Sequence, residues 1–230
     1  MTGVPEGPVL LVDDHALFAA AVRVGLRAAG IPAERVHPTT AAAVVAACAA
    51  AAPATVLLDL RLGTDPDGLP IDGLDLVAPV TAGGCRVVVV TGEVGDATWG
   101  AALERGAVTV VAKDTDLDDL VAVVTAVRAG ERVLGEGRRQ DLLAAARRAR
   151  AEETARLAPF RSLTPREDEV LRALAAGTPA AAIATAAHVS EATVRTQIRA
   201  VLAKLAVSSQ LQAVALARRA GWLDAPLSSR

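Results

Sequence analysis

Val56-Leu57-Leu58-Asp59-Leu60 is the stretch whose reading decides the fold. An apolar run this short, between Pro53 and Gly63, reads as a buried strand that ends in an acid. The carboxyl end of a strand is where open α/β sheets place their ligands. Taken alone, Asp59 is either a capping or loop acid or the centre of a site.

The same pattern recurs on both sides. Pro8-Val9-Leu10-Leu11-Val12 is a strand ending at Asp13-Asp14-His15. Leu17, Ala20, Ala21, Val24 and Ala28 then fall at helical spacing over 16–29, and Gly30 stops the helix. Val36 marks a short second strand, and Thr39 or Thr40 caps an Ala-rich helix over 41–51. After Asp59 comes a Gly-, Pro- and Asp-rich stretch, Gly63 to Pro70, expected as a loop, and then a helix over 72–80 from Asp72. Arg86 to Val90 is a strand ending at Thr91-Gly92, residues 96–105 are helical, and Val108 to Ala112 is a strand ending at Lys113. Thr115-Asp116 caps a last helix, with early acids, running to Arg128 and Gly130. Five strands alternating with five helices predict a flavodoxin-like, doubly wound parallel sheet for residues 1–130.

Residues 131–160 lose the strand signal. Their arginines (Arg138, Arg139, Arg147, Arg148, Arg150 and Arg156) suit the solvated face of a helical linker. Residues 161–230 are all helical. Thr164-Pro165-Arg166-Glu167 is a capping box, a short helix starts at Thr178-Pro179, and residues 187–190 turn. His188 is expected to pack within that turn. Ser190 then caps a helix over 191–205, and a fourth runs from Ser209 to Ala220. This is a small four-helix helix-turn-helix domain.

Composition sets limits. Hydrophobic residues make up 52% of the chain, so it can bury a core, but aromatics are only 2%. Stacking on single-stranded nucleic acid is thereby disfavoured. The net charge of −2 divides into −8 over 1–130, +2 over 131–160 and +4 over 161–230. An acidic front and a basic back suit different partners, the back one a polyanion. Cys48 and Cys85 have no metal-ligand spacing, and Cys48 reads as a small buried hydrophobe. No signal-like or membrane-length apolar run is present, so a cytoplasmic protein is expected.

In a parallel sheet all strand carboxyl ends share one edge. Asp13, Asp14, Asp59, Thr91 and Lys113 therefore gather around one crevice. Three carboxylates repel unless a cation joins them, and an all-oxygen set suits Mg²⁺ or Mn²⁺. With a hydroxyl and an ammonium beside them, the chemistry is phosphoryl transfer onto a carboxylate.

Leu11-Val12-Asp13-Asp14-His15, Leu57-Leu58-Asp59-Leu60-Arg61, Val90-Thr91-Gly92 and Ala112-Lys113-Asp114 resemble the receiver domain of two-component response regulators. Leu163 to Glu167, Ser190 to Arg195 and Arg219 to Gly221 resemble the LuxR-type helix-turn-helix. Together they are similar to the NarL/FixJ response regulators. The resemblance implies that Asp59 accepts a phosphoryl group from a sensor histidine kinase. It implies that Asp13, Asp14, Asp59 and the Arg61 backbone carbonyl hold Mg²⁺ (or Mn²⁺), with Thr91 and Lys113 binding the phosphoryl group. Arg61 and Glu93 occupy variable positions that tune autodephosphorylation in the family. For the output domain, it implies that Arg195, Thr196 and Arg199 face the DNA major groove, with Thr193, Gln197 and Lys204 as phosphate contacts. A homodimer, at least when active, would supply two half-sites.

The chain departs from the family in three places. The stretch after Asp59 is longer than the usual short Met-Pro loop, Val110 stands where an aromatic switch residue is usual, and Ala206 to Gln210 lacks the usual basic residue. One alternative is a phosphorylation-independent DNA-binding regulator whose receiver-like domain serves dimerisation or ligand binding. Another, an Asp59 phosphatase, lacks the second acid two residues on, where Arg61 stands, so no enzyme activity is expected.

Overall fold

The computed structural model describes residues 7–223, and the chain divides between Ala149 and Arg150 into two compact units. In the first unit β1 (Val9–Val12), β2 (Ala33–Val36), β3 (Thr55–Leu58), β6 (Arg86–Thr91) and β7 (Thr109–Ala112) form one sheet in the order β2-β1-β3-β6-β7. All its pairings are parallel, with Val12 opposite Leu58 and Leu58 opposite Val89. This is the doubly wound sheet expected from the alternation of elements.

Strand periodicity distributes the helices. Leu10, Val12, Val56, Leu58, Val87 and Val89 share a core with α2 (Ala41–Ala51), α3 (Gly73–Ala82) and α4 (Asp96–Glu104). Val9, Leu11, Leu57, Val88 and Val90 pack instead with α1 (Ala16–Ala28) and α5 (Leu117–Ala129). Each such side chain contributes about 1.5–3 kcal/mol on burial. The caps follow the sequence: Thr40 and Asp72 accept from the backbone N–H groups of Ala43 and Leu74, and left-handed Gly130 ends α5. At α5 the Asp116 side chain makes no capping bond, although Asp118 and Asp119 do stand in the first turn.

One expectation is corrected in this unit. The loop after Asp59 is an antiparallel hairpin, β4 (Arg61–Thr64) with β5 (Pro70–Asp72). Leu62 and Ile71 turn inward and are buried, while Asp65 Oδ1 accepts from the N–H groups of Asp67 and Leu69 at 3.0 and 2.8 Å to close the tip. The arginines of the next helix, α6 (Glu136–Leu157), are mostly exposed, as expected of a solvated face, but the helix also packs. Arg138 pairs with Asp96 at 2.7 Å, and Leu142 and Ala146 are buried in the first unit.

The second unit contains a 3₁₀ turn (Ala158–Ser162), α7 (Pro165–Ala175), α8 (Ala180–Ala186), α9 (Glu191–Lys204) and α10 (Gln210–Arg219). Thr164 and Glu167 close the expected capping box on α7, and Ser190 caps α9. Phe160 stacks on Trp222 over a core of Leu171, Val201 and Ala213. His188 is exposed at φ 53°, so it forms the turn through its backbone and does not pack as expected. Among the described residues no helix is long and apolar enough to cross a membrane.

Candidate functional site

The strand ends bring the first group of side chains together. The Asp59 N–H donates to the Val12 carbonyl at 2.9 Å and the Lys113 N–H to that of Thr91 at 2.9 Å, so both side chains leave the sheet at one edge. Asp13 and Asp59 are 4% and 3% exposed. Lys113 Nζ lies 2.7 Å from Asp59 Oδ2 and 2.8 Å from Asp13 Oδ2, a cation bridging two buried anions. Phe18 places its ring under the same ammonium, 5.1 Å from the centroid.

Asp14 is more exposed and is paired with His15 Nδ1 at 2.7 Å. Ligand atoms of Asp13, Asp14, His15 and Asp59 all lie within 4.8 Å of one another. His15 is the member that the sequence reading did not single out, although it directly follows the acid pair. Arg35 Nη2 donates to the carbonyls of Asp13 and Asp14 at 3.0 and 3.2 Å and fixes their backbone.

Burial raises the Asp59 carboxyl above the ordinary carboxylate value, and the nearby Asp13 charge adds to this, against the opposing Lys113 ammonium. Burial also disfavours the Lys113 charge, but its two carboxylate partners more than offset it and hold its pKa up. The edge thus carries a stable cation beside a carboxylate that is costly to keep ionised. A divalent cation would relieve that cost.

Thr91 is 1% exposed, and its Oγ1 accepts from the Glu93 N–H at 3.0 Å. Glu93 Oε1 accepts from Arg61 Nε at 2.6 Å, and the Glu93 carbonyl accepts from Trp99 Nε1 at 2.9 Å. Arg61 and Glu93, singled out separately in the sequence, are therefore one ion pair at the mouth of the site. Val110 is buried on β7 and offers no ring to Thr91. The hairpin borders the acids closely: a Cβ built on Gly63 would stand 3.5 Å from Asp14 Oδ2. At Gly73 a Cβ would stand 1.9 Å from the Asp59 carbonyl oxygen, so only glycine lets α3 start this close to the acid.

The second group lies on α9. Val194, Ile198 and Val201 face the core, which leaves Thr193, Arg195, Thr196 and Arg199 exposed. Arg195 is held by Glu191 Oε1 through Nε at 3.1 Å and Nη2 at 2.7 Å. Thr193 shares a hydrogen bond with Ser190, and Thr196 donates to the Ala192 carbonyl. Gln197 is half-buried, and its Oε1 has no partner. Lys204 is committed elsewhere, its Nζ 2.6 Å from Glu167 Oε2. Burial works against ionised Glu167, but Lys204 and Thr164 hold it below the usual value.

Comparison with known proteins follows this division. Residues 9–125 match the family described as response regulator receiver domain. Residues 161–217 match that described as bacterial regulatory proteins, luxR family. The chain is 31% identical over 213 residues to the nitrate/nitrite response regulator protein NarP of Escherichia coli K12, covering 90% of this chain and 93% of that protein. NarL of the same organism is 28% identical over 213 residues, with 93% and 95% covered. A solved structure of the RcsB response regulator of Salmonella typhimurium aligns at a TM-score of 0.47 and 20% identity, covering 93% of this chain and 98% of that one.

Proposed function

The chain belongs to the response regulators that join a receiver domain to a LuxR-type helix-turn-helix, and we propose that Asp59 is the acceptor through which phosphorylation controls its binding to DNA. The observation that carries this reading is Lys113 bridging buried Asp59 and Asp13 at one sheet edge, with the Thr91 hydroxyl on the next strand.

The phosphodonor is a sensor histidine kinase. An Asp59 oxygen attacks phosphorus, the P–N bond to the donor histidine breaks as the P–O bond forms, and Lys113 remains charged to receive a phosphoryl oxygen. Thr91 offers its hydroxyl to another. The oxygen donors of Asp13, Asp14 and Asp59, with the Arg61 carbonyl, suit Mg²⁺ or Mn²⁺. Such an ion, when bound, neutralises the charge that develops on the transferring group. The family's role is regulation of transcription rather than catalysis, and Arg61, paired with Glu93, supplies no second acid for turnover.

The receiver spans residues 1–130, a helical linker 131–160 and the DNA-binding domain 161–230. α9 enters the major groove, with Arg195, Thr196 and Arg199 at base edges and Thr193 and Gln197 toward phosphates, while Lys204 is held by Glu167. The modest +4 charge of residues 161–230 gives one copy few phosphate contacts, which favours a homodimer on two half-sites. The protein acts in the cytoplasm, where a bacterial chromosome lies.

Acetyl phosphate with Mg²⁺, followed by peptide mass mapping, tests the acceptor. A phosphoryl group on Asp59, absent from Asp59→Asn, is expected; an unmodified Asp59 contradicts the reading. Val110 favours a second reading, in which DNA binding ignores phosphorylation. DNA affinity unaffected by the phosphodonor would support that one instead.

A further inference from the structure

His15 has no task in the transfer of a phosphoryl group to Asp59. It is the N-cap of α1, with extended backbone at φ −78° and ψ 96°, and its ring makes no capping hydrogen bond. The ring turns to the acids instead. Nδ1 lies 2.7 Å from Asp14 Oδ1, 3.3 Å from Asp13 Oδ1 and 3.4 Å from Lys113 Nζ. The His15 N–H donates to Asp13 Oδ1 at 2.7 Å, and Arg35 holds the carbonyls of Asp13 and Asp14. Backbone contacts, and not charge alone, therefore place the imidazole beside the two acids.

The donor set is not oxygen alone. Ligand atoms of Asp13, Asp14, His15 and Asp59 lie within 4.8 Å of one another, and Lys113 meets Asp13 and Asp59 at their Oδ2 atoms. A four-coordinate ion with bonds of about 2.0–2.1 Å spaces its ligand atoms about 3.3 Å apart. Asp13 Oδ1 and His15 Nδ1 stand 3.3 Å apart already. With the ring proton on Nε2, Nδ1 has a lone pair to give. Mg²⁺ prefers oxygen and keeps several waters, whereas imidazole beside carboxylates selects Zn²⁺ and its neighbours.

We propose that His15 Nδ1 joins Asp13, Asp14 and Asp59 as a ligand, so that this centre takes Zn²⁺ in preference to Mg²⁺ and is closed to phosphorylation while Zn²⁺ is bound. The closure rests on the reading of Asp59 as phosphoacceptor. Four protein ligands complete a tetrahedral ion, and a complete ion has no position open to a phosphoryl oxygen. Mg²⁺, held by oxygens alone, keeps water positions that such an oxygen can take. With one Asp59 oxygen on Zn²⁺ and the other on Lys113, none is left to attack phosphorus. His15 thereby couples the availability of Zn²⁺ to the chemistry of Asp59.

The test uses the full chain as wild type and His15→Ala, an exposed position on which no side-chain cap depends. Co²⁺, whose visible absorption is intense in tetrahedral sites, reports the coordination. Zn²⁺ affinity is read by displacement of Co²⁺, and Mg²⁺ affinity by calorimetry. Wild type should give the tetrahedral band and bind Zn²⁺ more tightly than Mg²⁺. His15→Ala should lose roughly tenfold or more in Zn²⁺ affinity, with Mg²⁺ affinity unchanged. Acetyl phosphate with Mg²⁺ should modify Asp59 in both proteins, read by mass. Zn²⁺ at a concentration that saturates wild type but not His15→Ala should prevent this only in wild type. Equal Zn²⁺ affinity in the two proteins would overturn the proposal, as would a Mg²⁺ loss as large as the Zn²⁺ loss, which marks a merely structural role. Modified Asp59 in zinc-saturated wild type would overturn the closure. Asp59 unmodified with Mg²⁺ alone would instead overturn its role as phosphoacceptor, and the affinities would still decide whether His15 is a ligand.

Discussion

Lys113 sits between Asp59 and Asp13, and its removal leaves two buried carboxylates facing each other. Lys113→Met should destabilise the first unit by about 2 kcal/mol, less than for a fully buried pair because the ammonium is partly open to solvent. Urea denaturation at pH 7 measures this, and added Mg²⁺ should restore most of the loss. Asp59 also sets a pH dependence. Its folded pKa lies above the ordinary 3.8, so the folded state binds the proton more tightly than the unfolded chain does. Its contribution to stability therefore falls as pH rises from about 3.8 through the raised value. Metal-free Asp59→Asn should melt higher than wild type at pH 7, with the difference gone below the ordinary carboxylate range. Equal melting temperatures at pH 7 would contradict this assignment. Glu167 works in the opposite sense. Its folded pKa is depressed, so its contribution is present above 4.5 and lost as pH falls through the depressed value.

At the level of elements, α9 carries the prediction for DNA. Arg195→Ala and Arg199→Ala should each cost about 1–3 kcal/mol if they read bases, and relax specificity at one position. Lys204→Ala should act mainly through the α7 cap, because its ammonium is held by Glu167. Filter binding on matched and mismatched duplexes separates the two, since loss of a base contact relaxes specificity and loss of a cap weakens binding to all sequences alike. The hairpin divides in the same way. Shortening the Asp65–Leu69 tip should change stability by under about 1 kcal/mol, whereas Ile71→Ala removes a buried side chain and should cost about 2–5 kcal/mol. The elements legible in the sequence were those whose apolar residues follow one period, such as Val87 to Val90 or Val194, Ile198 and Val201. The hairpin was hidden because Gly63, Pro66, Gly68 and Pro70 read as breakers, and only Leu62 and Ile71 face inward. The docked part of α6 was hidden because its contact rests on Leu142 and Ala146 amid arginines. The acids and Lys113 could be placed because each ends a strand. The Arg61–Glu93 and Lys204–Glu167 pairs could not, since their partners stand 32 and 37 residues apart with no local pattern to join them.

For the molecule as a whole, separate cores around β3 and around Phe160 make each unit a candidate for independent melting. Mg²⁺ binds only the first in this account, so calorimetry should show the receiver transition rising with Mg²⁺ while the other stays fixed. Chemistry at Asp59 in the first unit is proposed to set the affinity of the second for DNA. The most direct test is selection of duplexes from a random pool, followed by affinity measurement on the selected site with and without acetyl phosphate. Phosphorylation should tighten binding by roughly fivefold or more, with no such gain for Asp59→Asn. Equal affinity with Asp59 shown by mass to be phosphorylated would contradict it.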